Sequence, residues 1–257
     1  MKRITLAEQK EIQLRMLQEI DAFCREHGIK YSLAFGTLLG AIRHHGYIPW
    51  DDDMDLLMPY PDMLRFKDLF HSETLEYVDA DTDKKHPFSF SRITHVNTIN
   101  KCGKVLTTYG VNIDLYPFIS IPKDITEKKQ FFEQAEKLDK KKERFQKWND
   151  RIVRHLPVNN LPNYNNVVKR YRDFILKTIP YGSTGMYYIV AGPLNHQEQD
   201  SYDIDLFEKL IEVDFENQKF LATAHYDVYL THSYGNYMQL PPEDKRHPYH
   251  GANYYWK

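Results

Sequence analysis

At 257 residues the chain fits one large domain or a core with an appended lobe. A formal net charge of −2 leaves no nucleic-acid footprint, and two cysteines exclude both a disulfide framework and a cysteine-rich zinc site. No stretch approaches the roughly 18 to 20 apolar residues that span a bilayer, and the N-terminus has no signal-peptide core, so a cytoplasmic protein is expected.

Thr5-Leu6-Ala7-Glu8 reads as a capping box that opens a helix. Ile12, Met16, Leu17, Ile20, Phe23 and Cys24 follow at helical spacing, and Gly28 can end it. Tyr31–Ala34 reads as a short strand, and Gly36-Thr37 open a short helix through about Arg43. Gly46 and Pro49 turn the chain into an acidic strand, and Pro61 starts a helix with Met63, Leu64, Phe66, Leu69 and Phe70. Short strands are expected near Leu75–Val78, Phe88–Thr94 and Val111–Phe118. A Lys- and Glu-rich stretch, Thr126–Arg154, predicts a long amphipathic helix, followed by one over Val167–Thr178. Residues 181–203, with Gly182, Gly185, Gly192 and Pro193, read as loop. A last helix, Tyr226–Tyr234, stops at Gly235, and Pro241-Pro242 are expected to keep regular structure from resuming. This order predicts an α/β (α+β) fold: a core over 1–121 with a small mixed sheet flanked by helices, a helical insertion over 122–200, and a C-terminal segment over 201–257 that returns to the core.

The densest chemistry lies in Trp50-Asp51-Asp52-Asp53-Met54-Asp55. On a strand, Asp51, Asp53 and Asp55 share one face at roughly 6 to 7 Å spacing, with Asp52 and Met54 on the other. Like charges so placed repel, and a hard divalent cation offsets that cost. Asp53 and Asp55 are the expected metal ligands, with Asp51 and Asp52 in support. Asp114 lies between Ile113 and Leu115, which have the pattern of core-facing strand residues, so it faces the other side. It is a candidate third metal ligand or general base. The Gly36-Thr37 step, at a helix start, suits a phosphate.

This arrangement resembles the nucleotidyltransferase fold of the DNA polymerase β type. It more closely resembles the LicD family, which includes the fukutin-related proteins. The resemblance rests on Tyr31–Pro59, YSLAFGTLLGAIRHHGYIPWDDDMDLLMP, and continues at Arg92-Ile93-Thr94, Val111–Phe118 and Tyr229–Arg246. It implies a phosphotransferase that moves phosphocholine from CDP-choline to a sugar hydroxyl of a teichoic acid or lipopolysaccharide glycan, releasing CMP. It further implies Mg2+ or Mn2+ at Asp53, Asp55 and Asp114. The acceptor is expected to be lipid-linked, which places the protein peripherally at the inner membrane face.

Arg43, Arg92, Lys245 and Arg246 read either as phosphate contacts or as ordinary ion-pair and loop charges. A quaternary ammonium accepts no hydrogen bond and needs aromatic walls, for which Trp50, Tyr234 and Tyr237 are candidates beside their core-packing reading. His44 and His45 read as surface residues, and His247 and His250 form no metal spacing. Two other readings stay open: transfer of a nucleotidyl group or of another CDP-alcohol phosphate (ribitol, glycerol, ethanolamine), and a non-catalytic nucleotide-binding scaffold.

Overall fold

The structure is a computed structural model. It describes residues 1–84, 86–102, 105–106, 109–153, 165–191, 194, 197–247, 251 and 253–257. Gly192, Pro193, Arg154 and His250 therefore lie outside the described residues. The chain divides into two compact units, one of Met1–Glu76, Ile93–Leu115 and Leu206–Lys257, the other of Tyr77–Arg92 and Tyr116–Asp205. No helix among the described residues is long and apolar enough to cross a membrane.

The first unit opens on α1 (Leu6–His27), and both halves of its capping box form: Thr5 Oγ1 accepts from the Glu8 N–H, and Glu8 accepts from the Thr5 N–H. Gly28 closes it in the left-handed region at φ 59°. Met16, Leu17, Ile20 and Cys24 form its buried stripe. β1 (Ser32–Leu33) pairs antiparallel with β2 (Asp55–Pro59). Between them runs α2 (Phe35–His44), and α3 (Tyr60–Leu69) follows. On α3, Met63 and Phe66 are buried while Leu64 and Leu69 stay exposed. Phe66 stacks on Phe70, and Phe23 meets both edge-on.

Three further strands match the expected positions: β3 (Leu75–Val78), β4 (Ser91–His95) and, beyond a small β5 (Thr98–Cys102) and β6 (Val105–Leu106), β7 (Asn112–Ser120). The strand order is β1-β2-β7-β4-β3, and the unit boundary falls within β3, β4 and β7. In β7, Ile113 and Leu115 are fully buried while Asn112 and Asp114 on the other face are half-buried, the alternation that the sequence predicts.

Several expectations need correction. Regular strand structure begins only at Asp55, so Asp51–Met54 form an irregular approach to β2. The stretch read as loop over 181–203 contains β8 (Tyr187–Ile189), paired with β7, and β9 (Ser201–Tyr202). The sequence reading missed the hairpin of β10 (Leu210–Phe215) and β11 (Gln218–Thr223), whose two-residue turn, Glu216-Asn217, has both φ values positive. Structure also resumes after the double proline, as a 3-10 turn (Glu243–Lys245) and β12 (Tyr254–Trp256), which pairs with β5.

The second unit holds α4 (Ile125–Val153) and α5 (Asn165–Lys177). Asp124 caps α4 by accepting from the Thr126 and Glu127 N–H groups. Phe131 stacks on Phe174, and Phe132 meets Tyr188 of β8 edge-on. The last helix, α6 (Tyr226–Tyr234), belongs to the first unit and ends at Gly235 as expected.

Candidate active site

The site is built where α2 starts. Ala34 precedes α2 without a side-chain cap, and Phe35 is held at φ 43°. A bulky residue rarely occupies that region, so strain is stored at the helix entrance. Two hydroxyls hold the turn. Tyr229 of α6, itself buried, accepts the Phe35 N–H at 3.0 Å, and Thr37 Oγ1 accepts the Asp55 N–H at 2.9 Å. At Gly36 a Cβ would lie 2.5 Å from Asp51 Oδ2, so only glycine lets that carboxylate sit against the helix start.

Asp51, Asp53 and Asp55 line one cavity of about 600 Å³. The Asp51 and Asp53 carboxyls are hydrogen-bonded to each other. Burial first, and the Asp53 charge second, push the Asp51 carboxyl up to about 7. Asp52 faces away: it is buried, and its Oδ2 accepts the Gly251 N–H at 2.9 Å. Asp114 is tied to the same segment through its N–H, which donates to the Met54 carbonyl at 3.0 Å. Its Oδ1 accepts from Asn112 Nδ2 at 2.6 Å, and it is not among the cavity-lining residues.

Further lining comes from the end of α6 and the segment after it. Tyr234 and Tyr237 line the cavity with Trp50, and Tyr237 Oη donates to Asp227 at 2.7 Å. Burial, and then that contact, push the Tyr237 phenol up to about 12. Arg43 lines the cavity and donates from Nη1 to the Tyr237 carbonyl at 2.7 Å, strapping this segment to α2. Lys245 is a lining residue as well. Arg246 is not; its guanidinium lies 5.7 Å from the Trp50 ring centre, and its Nε donates to the Pro241 carbonyl. Burial lowers the pKa of His44, which meets Trp50 edge-on. Arg92 belongs to the second unit, where it lies 4.2 Å from the centre of the Phe88 ring.

Thr37 is buried outside the cavity lining, with its hydroxyl bonded to the backbone of Asp55. Among the described residues no group of three His, Cys, Asp or Glu is found that could hold a metal ion as the side chains stand. Phe35, Asn236 and Gln239 also line the cavity and were not singled out from the sequence. All three lie within the stretches that resemble the LicD family, which is the signal that could have found them.

A helix start set against clustered carboxylates, on an α+β scaffold, is the layout of a nucleotidyltransferase-like domain. A family model described as LicD/FKTN/FKRP, nucleotidyltransferase domain, matches residues 28–163, and the chain belongs to that family. It is 29% identical over 264 residues to the lipopolysaccharide cholinephosphotransferase LicD of Haemophilus influenzae, covering 97% of each chain. An uncharacterized protein of Rickettsia typhi is 36% identical over 69 residues, which is 26% of this chain and 22% of that one. A second uncharacterized protein, from Rickettsia prowazekii, is 32% identical over 69 residues.

Proposed function

We propose that this enzyme transfers phosphocholine from CDP-choline to a sugar hydroxyl of a cell-surface glycan of the lipopolysaccharide or teichoic acid type. The observation that carries the reading is one cavity lined both by three carboxylates, Asp51, Asp53 and Asp55, and by three aromatic rings, Trp50, Tyr234 and Tyr237. The full-length similarity to a lipopolysaccharide cholinephosphotransferase supports the donor group and the glycan acceptor.

The carboxylates suit a hard divalent cation. All donors are oxygens, and the Asp51–Asp53 pair shares a hydrogen bond that requires a proton where a cation would serve instead. Asp53 and Asp55, with Asp51 beside them, would hold Mg2+ or Mn2+, which when bound offsets the negative charge of the donor diphosphate. Asp114 is held next to this segment by its bond to Met54, which supports a role beside the metal or as general base.

The acceptor oxygen attacks the phosphorus that carries choline, and the bond from that phosphorus to the CMP oxygen breaks. CMP departs with the electron pair, and the hydroxyl proton passes to a carboxylate of the cluster. Lys245 and Arg43 supply positive charge on the cavity wall for the donor's phosphates. The aromatic wall receives the trimethylammonium group, which favours choline over ribitol, glycerol or ethanolamine. A lipid-linked acceptor would bring the protein to a membrane surface from the cytoplasmic side.

The test is incubation of the protein with CDP-choline, Mg2+ and a dephosphocholinated glycan. Stoichiometric CMP and phosphocholine on the glycan are expected. Release of free phosphocholine with CMP left on the glycan would instead establish nucleotidyl transfer. Stoichiometric binding of CDP-choline without turnover would leave only a scaffold.

A further inference from the structure

We infer that Gln9 and Gln13 of α1 are positioning residues that set the aspartate segment against the strand carrying Asp114. Gln9 and Gln13 are one helical turn apart and buried on the same stripe as Ile12, Met16 and Leu17. Gln9 Nε2 donates to the Asp52 carbonyl, and Gln13 Nε2 donates to the Asn112 carbonyl at 3.2 Å. Lys10, between them, donates from Nζ to the Ile48 and Pro49 carbonyls at 3.2 and 3.3 Å.

The targets are what make this more than core packing. Every acceptor is a backbone carbonyl, and each lies in the run that leads into Asp53 and Asp55 or two residues before Asp114. Met54, whose carbonyl accepts the Asp114 N–H, sits two residues beyond Asp52. Asn112 passes the constraint on, because its Nδ2 donates to Asp114 Oδ1 at 2.6 Å while Tyr254 Oη donates to its Oδ1 at 3.1 Å. One rigid helix thus grips the irregular approach to β2 and the start of β7 together. Residues 51–54 have no strand ladder of their own to fix their path, so the grip supplies it.

The choice of glutamine also costs something that packing would avoid. Gln13 Oε1 is buried without a hydrogen-bond partner. Burying an unpaired amide oxygen is unfavourable, and leucine or methionine would fill the stripe without that cost. The amide is kept for its donor. α1 precedes residues 28–163, the part matched by the family model, so this support comes from outside the matched region.

The inference rests on the proposed transferase reading for its kinetic arm only. Gln9→Met and Gln13→Met keep the side-chain volume and remove the amide. In each variant we measure kcat and KM for CMP release from CDP-choline, and hydrogen exchange at the Asp114 amide. The inference expects kcat to fall about tenfold with KM within about threefold, since misplaced reacting groups lower the rate more than binding. It also expects Asp114 exchange about tenfold faster, from local opening. A kcat within about twofold of the parent protein, or unchanged Asp114 exchange, overturns it. Should a methionine variant not fold, Gln9→Asn, one methylene too short to reach, is judged by the same two readouts. If the parent protein itself releases no CMP, the transferase reading fails and Asp114 exchange alone decides the inference.

Discussion

Two regions of this chain concentrate aspartates, and they treat them oppositely. In the second unit, Asp79 and Asp81 meet the buried Arg172, whose Nη2 lies 2.8 Å from Asp81 Oδ2, and Lys169 adds a second cation to Asp81. Nearby, burial works to raise the Asp173 carboxyl, but hydrogen bonds from Lys177 and Arg172 outweigh it and hold it below its ordinary range. In the first unit the Asp51 and Asp53 carboxyls bond to each other, and Asp51 is pushed up to about 7. The first arrangement satisfies its charges internally, as a structural network must. The second keeps proton affinity high in a cavity wall, as sites that bind or react do.

Asp53→Asn is the sharpest break of that contrast. The proposed function expects at least about a 10³-fold loss of CMP release, the scale of removing a principal electrostatic contributor. Thermal melting without metal should be unchanged or higher, because a like-charge contact is relieved. Undiminished turnover, or a melt that collapses, would show that the acidic corner is structural like its counterpart.

Arg172→Met tests the other side. It removes the guanidinium and leaves Asp79, whose side chain is 8% exposed, without it. Breaking a buried pair from one side costs about 3 kcal/mol or more. Urea unfolding should therefore move to lower denaturant, while kcat of the folded fraction stays near the parent value.

The pH dependence of stability separates the two regions further. Asp51 holds its proton up to about 7 in the folded chain, against an ordinary value of 3.8. Between those values the unfolded chain has lost the proton and the folded chain has not, so stability falls as pH rises from about 4 to about 7. Asp51→Asn should flatten that decline. The thermal shift caused by Mg2+ should grow from pH 5 to pH 8, because at the lower pH the cation must displace a proton. A Mg2+ shift that is largest at pH 5 would remove the carboxylate pair from the metal site.

Much of this contrast could be read in the sequence where the determinants are local. Thr5 with Glu8, Gly28 and Gly235 mark helix ends through caps that involve residues only a turn away. The alternation of Asp51, Asp53 and Asp55 survives even without a strand ladder, because an extended approach also points alternate side chains to opposite sides. What escaped depends on distant partners. β12 is three residues whose ladder is β5, more than 150 positions earlier, and Pro241-Pro242 gave the wrong local signal. The β10–β11 hairpin was readable in principle, from buried Val213 and Phe215 alternating with exposed Glu212 and Asp214, but its turn has no glycine. Gln9 and Gln13 look like interruptions of an apolar stripe until their acceptors, 43 and 99 residues away, are seen. The bond from the Asp55 N–H to the Thr37 hydroxyl, 18 residues away, is likewise a contact that only the fold reveals.

The smallest expected effect concerns where the site obtains a cation. In the second unit the aspartates receive Arg172 from within the chain, whereas the proposed donor brings a trimethylammonium group to an aromatic wall. Arg246 already lies 5.7 Å from the Trp50 ring centre, so that indole face is compatible with positive charge. A cation over an exposed indole gains about 0.5 to 1 kcal/mol, and more once desolvated. Trp50→Leu keeps an apolar surface and removes the ring quadrupole. KM for CDP-choline should rise about two- to fivefold by that energy, while KM for CDP-glycerol, which has no cation, should not follow. Equal rises for both donors would make Trp50 a packing surface, and the recognition of choline would then have to rest on the carboxylates or on Tyr234 and Tyr237.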